Sequence, residues 1–262
     1  MDIDPLFKTN FLNLCSPIDI LNSSAGCADI NILKFALCGE FNKLSLILEA
    51  INQFSVRLAT SFSCQKNSNY RYLPAMIQEF SCCANVKNNY FKIQGDIELI
   101  ERSFRVNCNV IDKSKLATVA HASVFIASVA DSKLFNKTTN ANLYTSPLYK
   151  IIPLEAEDKY KICFNPNHAI FKEHFKNSAV CPGSMLIDIV LYIVLNNCTK
   201  NIDYVELKKI KYIEPVTPDK SYMLDIQSTK ENELYFSFYD KTKKCFACGK
   251  ICVKYEERKC YA

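Results

Sequence analysis

The segment from Asn165 to Asp188, NPNHAIFKEHFKNSAVCPGSMLID, holds the residues of this chain best suited to moving protons. His174 stands in an aromatic frame, Phe171-x-x-His174-Phe175. Eight residues later come Pro182 and Gly183, then an apolar run interrupted by one carboxylate, Asp188. Pro-Gly followed by Ser-Met-Leu-Ile-Asp-Ile-Val-Leu reads as a turn that opens into a buried helix. An imidazole titrates near neutrality and is suited to taking a proton. A carboxyl inside an apolar helix has its pKa raised by desolvation and is suited to giving one. Glu49, inside the apolar stretch LSLILEAINQFSVRLATSF (44–62), has the same character. A buried carboxylate is costly unless it is paired or neutral, so both acids require a reason.

The elements that must position these groups repeat. The helix expected over 44–62 is followed by β-like runs near 75–81, 90–100, 103–111 and 116–128. The helix expected over 184–198 is followed by runs near 204–213, 221–228, 233–240 and 244–255. Asn88-Asn89, Asp112-Lys113, Pro215 to Lys220 and Asp240-Lys241 punctuate them. Each half therefore reads as a strand, a long helix and four strands. Two units are expected, 1–130 and 148–262, joined by the polar stretch 131–147. A long apolar helix with antiparallel strands behind it is an α+β layer, a sheet wrapped round its helix.

Composition excludes other classes. No uncharged apolar run of about 18 residues exists, so no membrane-spanning helix is expected. The start, MDIDPLFKTN, lacks the basic-then-apolar order of a secretory signal. The 14 Cys are mostly scattered in apolar stretches, which fits reduced, buried thiols in a cytoplasmic protein. A formal charge of +5 without a Lys/Arg block does not call for nucleic acid. Cys245-x-x-Cys248-x-x-x-Cys252 lies in a strand pattern, where residues three apart are expected on opposite faces, so no metal is expected there. His168 is read as ordering its loop, and His121 as core or surface filler.

The pattern Phe171-x-x-His174-Phe175, Val180-x-Pro182-Gly183 and an acid fourteen residues after the histidine closely resembles the hot-dog-fold 3-hydroxyacyl-[acyl-carrier-protein] dehydratases, the FabA/FabZ-like group. Ile210-Lys211-Tyr212-Ile213-Glu214-Pro215-Val216-x-Pro218 resembles the strand and turn that follow in that family, so the likeness covers about 150–256. The chain departs from it at Glu173, where Gly is usual, and at Lys176, where Pro is common. In the first half, Leu46-Ile47-Leu48-Glu49-Ala50-x-x-Gln53 resembles the family's helix motif. There Phe35 stands fourteen residues before the acid, and Lys43-Leu44 occupies the place of Pro-Gly. The first half resembles a unit that kept its acid and lost its histidine.

The resemblance implies a double hot-dog packed as an internal pseudo-dimer, each site taking its histidine from one unit and its acid from the other. His174 would then work with Glu49, while Asp188 would face a site without histidine. The implied reaction is dehydration of a 3-hydroxyacyl thioester to a trans-2-enoyl thioester in fatty-acid or polyketide synthesis. Gly183, at a helix N-terminus, would polarise the thioester carbonyl, with Pro182 and Phe175 beside the substrate. The substrate would ride on the phosphopantetheine of an acyl carrier protein, with no cofactor or metal held by the chain itself. Lys172, Lys176, Lys208, Lys209 and Lys211 are the expected docking face for that acidic carrier. A homodimer of the chain remains open. So do two other readings: a related hot-dog thioesterase or isomerase, and an inactive acyl-binding scaffold.

Overall fold

The structure, a computed structural model, describes residues 11–63, 70–130, 147–156, 158–174, 179–198, 200–230 and 232–255. The expected linker falls outside these residues except for Pro147.

The first half runs β1 (Asp19–Asn22), β2 (Ala25–Asn31), α1 (Leu33–Cys38), α2 (Lys43–Phe62), β3 (Tyr70–Cys83), β4 (Tyr90–Ile100), β5 (Ser103–Asp112) and β6 (Ala117–Ala130). The second half runs β7 (Tyr149–Pro153), β8 (Lys159–Phe164), α3 (Ile170–Glu173), α4 (Gly183–Asn196), β9 (Ile202–Tyr212), β10 (Ser221–Lys230), β11 (Glu233–Tyr239) and β12 (Cys245–Tyr255). The element order is the same in both halves. Each adds a second strand and a short helix to the order read from sequence. These additions are short, and β1 is exposed along its whole length, so neither hydrophobic period marks them.

All twelve strands form one sheet, in the order β1-β2-β4-β5-β6-β3-β9-β12-β11-β10-β8-β7. Read outward from the β3–β9 pair, the two halves are identical in topology. The seam is antiparallel, with Ile77 opposite Ile210, Phe80 opposite Leu207 and Cys82 opposite Val205. All six residues are buried, while Glu79 opposite Lys208 lies on the outer face. A single apolar core runs through both halves.

The strands alternate as a sheet with one covered face requires. Phe91, Ile93 and Ile97 of β4 point inward, as do Tyr222, Leu224 and Ile226 of β10. α2 lies against β2 to β6 and against α4. Asn42 caps α2, its side chain accepting the Leu44 N–H at 2.9 Å. Gly39 ends α1 at φ +66°, a conformation that favours a residue without Cβ. No helix among the described residues is long and apolar enough to cross a membrane.

Because the seam belongs to the common core, Phe80→Ala should lower stability by about 3–5 kcal/mol. Urea unfolding followed by circular dichroism and by tyrosine fluorescence should report one shared transition. Separate transitions for the two halves would contradict a common core.

Candidate active site

α2 carries Glu49 toward the second half. The residue is buried, at 4% exposure, and its Oε2 accepts the Ser184 hydroxyl at 2.6 Å. Ser184 is the second residue of α4, next to Gly183. The first-half carboxyl therefore sits at the N-terminus of the second-half helix. Its other oxygen accepts Gln53 Nε2–H at 3.0 Å. Gln53 in turn donates to the Phe11 carbonyl and accepts the Leu14 and Cys15 amides. Burial pushes the Glu49 carboxyl up to about 7, against the opposing pull of the Ser184 and Gln53 hydrogen bonds.

His174 ends α3, and its N–H donates to the Ile170 carbonyl at 2.8 Å. Val180 returns the chain to it through two bonds. Val180 N–H donates to the His174 carbonyl at 3.0 Å, and His174 Nδ1 lies 3.0 Å from the Val180 carbonyl oxygen. A carbonyl only accepts, so Nδ1 carries the proton and Nε2 the lone pair. Burial pushes the imidazole down to about 4, which leaves it neutral at ordinary pH. His174 itself is only half-buried.

Pro182 caps α4 and is buried. The first amides of α4, at Gly183 and Ser184, have no acceptor within the helix, as at any helix start. Gly183 is required for a reason the sequence did not reveal. A Cβ there would lie 2.5 Å from Tyr212 Cζ and 2.6 Å from Cε1, so the Tyr212 ring presses directly on the glycine. Glu173, the departure from the family's glycine, makes a structural contact of its own, its Oε2 accepting the Phe11 N–H at 2.8 Å. The segment Phe11–Cys15 is thus tied both to the residue before His174 and to Gln53, which holds Glu49.

Asp188 occupies the mirror position with different partners. Its Oδ1 accepts the Asn42 N–H and its Oδ2 the Tyr149 hydroxyl, both at 2.8 Å. Ser45 Oγ faces the same carboxylate without closing a hydrogen bond to it. Burial pushes Asp188 up to about 6. Nearby, Glu40 Oε1 accepts the Leu148 N–H at 2.9 Å and lies 3.0 Å from His168 Nε2. Phe35, where the resemblance places the lost histidine, is buried edge-on to Phe11, with ring centres 5.4 Å apart. Phe41 stacks against both rings and meets His168 edge-on. Aromatic carbon fills this end of the first half. His168 is fully buried and accepts the Ile170 N–H at Nδ1, at the entry to α3.

Other expected residues lie elsewhere. Phe175 and Lys176 fall outside the described residues. Lys208, Lys209 and Lys211 are exposed on β9, whose intervening Ile210 points into the core. Lys208 is committed to Glu206 at 2.9 Å. Lys172 is exposed on α3, two residues before His174. His121 is on the outer face, between Asn109 and Glu79. The expectation that Cys245 and Cys248 face opposite ways is wrong. An irregularity in β12 opposite Phe238 and Tyr239 adds a residue, so both are half-buried on one face and their thiols interact. Among the described residues no group of three or more His, Cys, Asp or Glu is placed to hold a metal.

Sequence reasoning missed Ser184, Tyr149 and the contact made by Tyr212. One signal was available: Ser-x-x-x-acid occurs in both long helices, as Ser45/Glu49 and Ser184/Asp188. Residues four apart share a helix face, so each serine accompanies the acid that crosses to the other half.

Residues 154–250 match the ApeI-like dehydratase family. No curated protein matches the chain in sequence. Among solved structures, the chain is similar to an acyl-ACP thioesterase from Bacteroides thetaiotaomicron VPI-5482, with a TM-score of 0.57 and 11% identity, over 88% of this chain and 98% of that one. It is similar to the 12:0-ACP thioesterase from Umbellularia californica, with a TM-score of 0.52 and 8% identity, over 91% and 100%. It is also similar to a dehydratase from type I polyketide synthases, with a TM-score of 0.51 and 8% identity, over 94% and 100%. At these identities the likeness establishes the fold alone, and that fold is the double hot-dog expected from the motif.

The Glu49 carboxyl makes stability depend on pH in a defined direction. Its folded pKa lies above its unfolded one, so the folded state holds a proton that the unfolded state releases. Stability therefore falls as pH rises from 4.5 to about 7. At about 1.4 kcal/mol per unit, the loss is on the order of 3 kcal/mol. Glu49→Gln should remove this loss and be the more stable protein at pH 8, but not at pH 4. Urea midpoints at both pH values check this. Equal midpoints at pH 8 would show that Glu49 is not desolvated.

Proposed function

We propose that this double hot-dog chain, whose residues 154–250 match the ApeI-like dehydratase family, removes water from 3-hydroxyacyl thioesters. The observation that carries the reading is the Glu49–Ser184 hydrogen bond. It brings a first-half carboxyl to the Pro182-Gly183 turn that follows His174, as the cross-half dyad requires.

The roles follow from protonation state. His174 Nε2 takes the C2 proton, with Nδ1–H anchored on Val180. Glu49, neutral below about pH 7, gives its proton to the 3-hydroxyl as the C3–O bond breaks. Water leaves, the C2–C3 double bond forms, and solvent takes the proton from His174 and returns one to Glu49. The Gly183 N–H at the start of α4 receives the charge that develops on the thioester oxygen. Asp188 takes no part, because Phe35, buried edge-on to Phe11, stands where the first half would need a second base.

The acyl group is carried on the phosphopantetheine of an acyl carrier protein. Lys172, exposed beside His174, is the docking lysine best placed to receive it. Lys208 is neutralised by Glu206.

The test is enoyl formation from a 3-hydroxyacyl thioester presented on pantetheine, CoA and carrier protein. His174→Ala and Glu49→Gln should each lower kcat by about 10²- to 10⁴-fold. Asp188→Asn should stay within a few-fold of wild type while losing about 1–3 kcal/mol of stability, since the new amide cannot accept both donors. The kcat/KM profile should rise through pH 4 and fall above pH 7, following His174 and Glu49. Full activity in Glu49→Gln with none in Asp188→Asn would overturn the cross-half dyad. A wild type that only hydrolyses thioesters would turn the reading toward a thioesterase.

A further inference from the structure

Tyr212 is the last residue of β9, and its ring packs directly against Gly183. The position where a Gly183 Cβ would stand is 2.5 Å from Cζ, the ring carbon that bears the hydroxyl. The hydroxyl is thus held beside the first turn of α4. It is shielded from solvent and has no hydrogen-bond partner among the described residues. It also lies within electrostatic reach of Glu49 and Cys181. A buried donor without an acceptor is an unfavourable arrangement that a folded chain normally avoids. Here it occurs next to the helix N–H assigned to the substrate carbonyl.

We propose that the Tyr212 hydroxyl is a second donor to the thioester carbonyl oxygen, completing with the Gly183 N–H a two-point site for the enolate. The inference rests on the dehydratase reading and adds a substrate-contacting residue to it. No proton leaves the tyrosine. As His174 takes the C2 proton, electron density moves onto the thioester oxygen, which accepts hydrogen bonds from Gly183 and Tyr212. That density then returns to form the C2–C3 double bond as the 3-hydroxyl departs with the proton of Glu49. Burial, with Glu49 and Cys181 nearby, pushes the phenol well above its ordinary range, so it remains a donor throughout the working pH. The arrangement also gives Gly183 its purpose: any side chain there would push the phenol away.

The test uses Tyr212→Phe in the full chain, which removes one oxygen and keeps the ring on Gly183. We expect kcat for dehydration to fall about 10²- to 10³-fold with KM little changed, the usual effect of losing one such donor. The melting temperature should hold or rise, because a buried orphan hydroxyl has been removed. A second readout isolates the carbonyl step: deuterium wash-in at C2 of a saturated acyl thioester in D₂O, followed by mass spectrometry. That exchange needs His174 and the enolate site but no leaving group. It should survive Glu49→Gln, vanish in His174→Ala and fall in Tyr212→Phe in step with dehydration. Wild-type rates of dehydration in Tyr212→Phe would overturn the proposal. So would a loss of dehydration with exchange unchanged, which would place the phenol on the 3-hydroxyl. A fall in melting temperature of several degrees would make the hydroxyl structural and overturn it too. A wild type that performs neither reaction sinks the dehydratase reading itself.

Discussion

A carboxyl group of one half is buried against the helix start of the other, and much of the structure exists to keep it there. Burying Glu49 is unfavourable by itself. It is tolerated because two side-chain donors, Ser184 and Gln53, reach its oxygens and because its pKa rises until the group is neutral. Neither donor is independent. Ser184 is placed by α4, whose first turn is set by Pro182 and by the Tyr212 ring on Gly183. Gln53 is placed by the amides and carbonyl of the Phe11–Cys15 segment. That segment is fastened by Glu173, the neighbour of His174. One hydrogen-bonded path therefore links Glu173, the neighbour of His174, to Glu49, although they belong to different halves of the chain.

The path is effective only if the halves cannot shift against each other. The β3–β9 seam supplies that constraint, since it makes one sheet and one core of two six-stranded units. Two separately folded halves would need to associate before Glu49 met Ser184. In this chain the association is intramolecular. The encounter is thus completed once, during folding.

Much of this was legible in sequence because it rests on local pattern. Eight strands and both long helices follow from hydrophobic period and turn residues, and Glu49 stood out as an acid in an apolar helix. What could not be read depends on contacts between distant residues or on breaks in period. The second strand ahead of each long helix was not legible: β1 and β7 are only four and five residues long, and β1 has no buried face. Cys245 and Cys248 share a face because an extra residue in β12 shifts the alternation, which no count of spacing reveals. Glu173 looked like damage to the motif until its bond to Phe11 was visible. The packing of Tyr212 on Gly183 is equally hidden, because nothing local tells which glycine a ring will cover.

The difference between the two ends of the pseudo-dimer follows from one residue at each helix cap. α2 begins at Asn42, which has an N–H, and that N–H bonds Asp188. α4 begins at Pro182, which has none, so Glu49 has no cap amide to accept and is held by a serine hydroxyl and a glutamine amide instead. A carboxylate bonded to a fixed backbone donor and to a half-buried tyrosine is over-determined as an anchor. One held by two side chains, Ser184 and Gln53, can change protonation without disturbing a backbone bond at the helix start. Removing Asp188 would leave the half-buried Asn42 amide and Tyr149 hydroxyl without their acceptor. The aromatic packing of Phe11, Phe35 and Phe41 occupies the place where a second base would be needed. A duplicated fold thus keeps two buried acids held by different donors, because one helix is capped by a proline and the other by an asparagine.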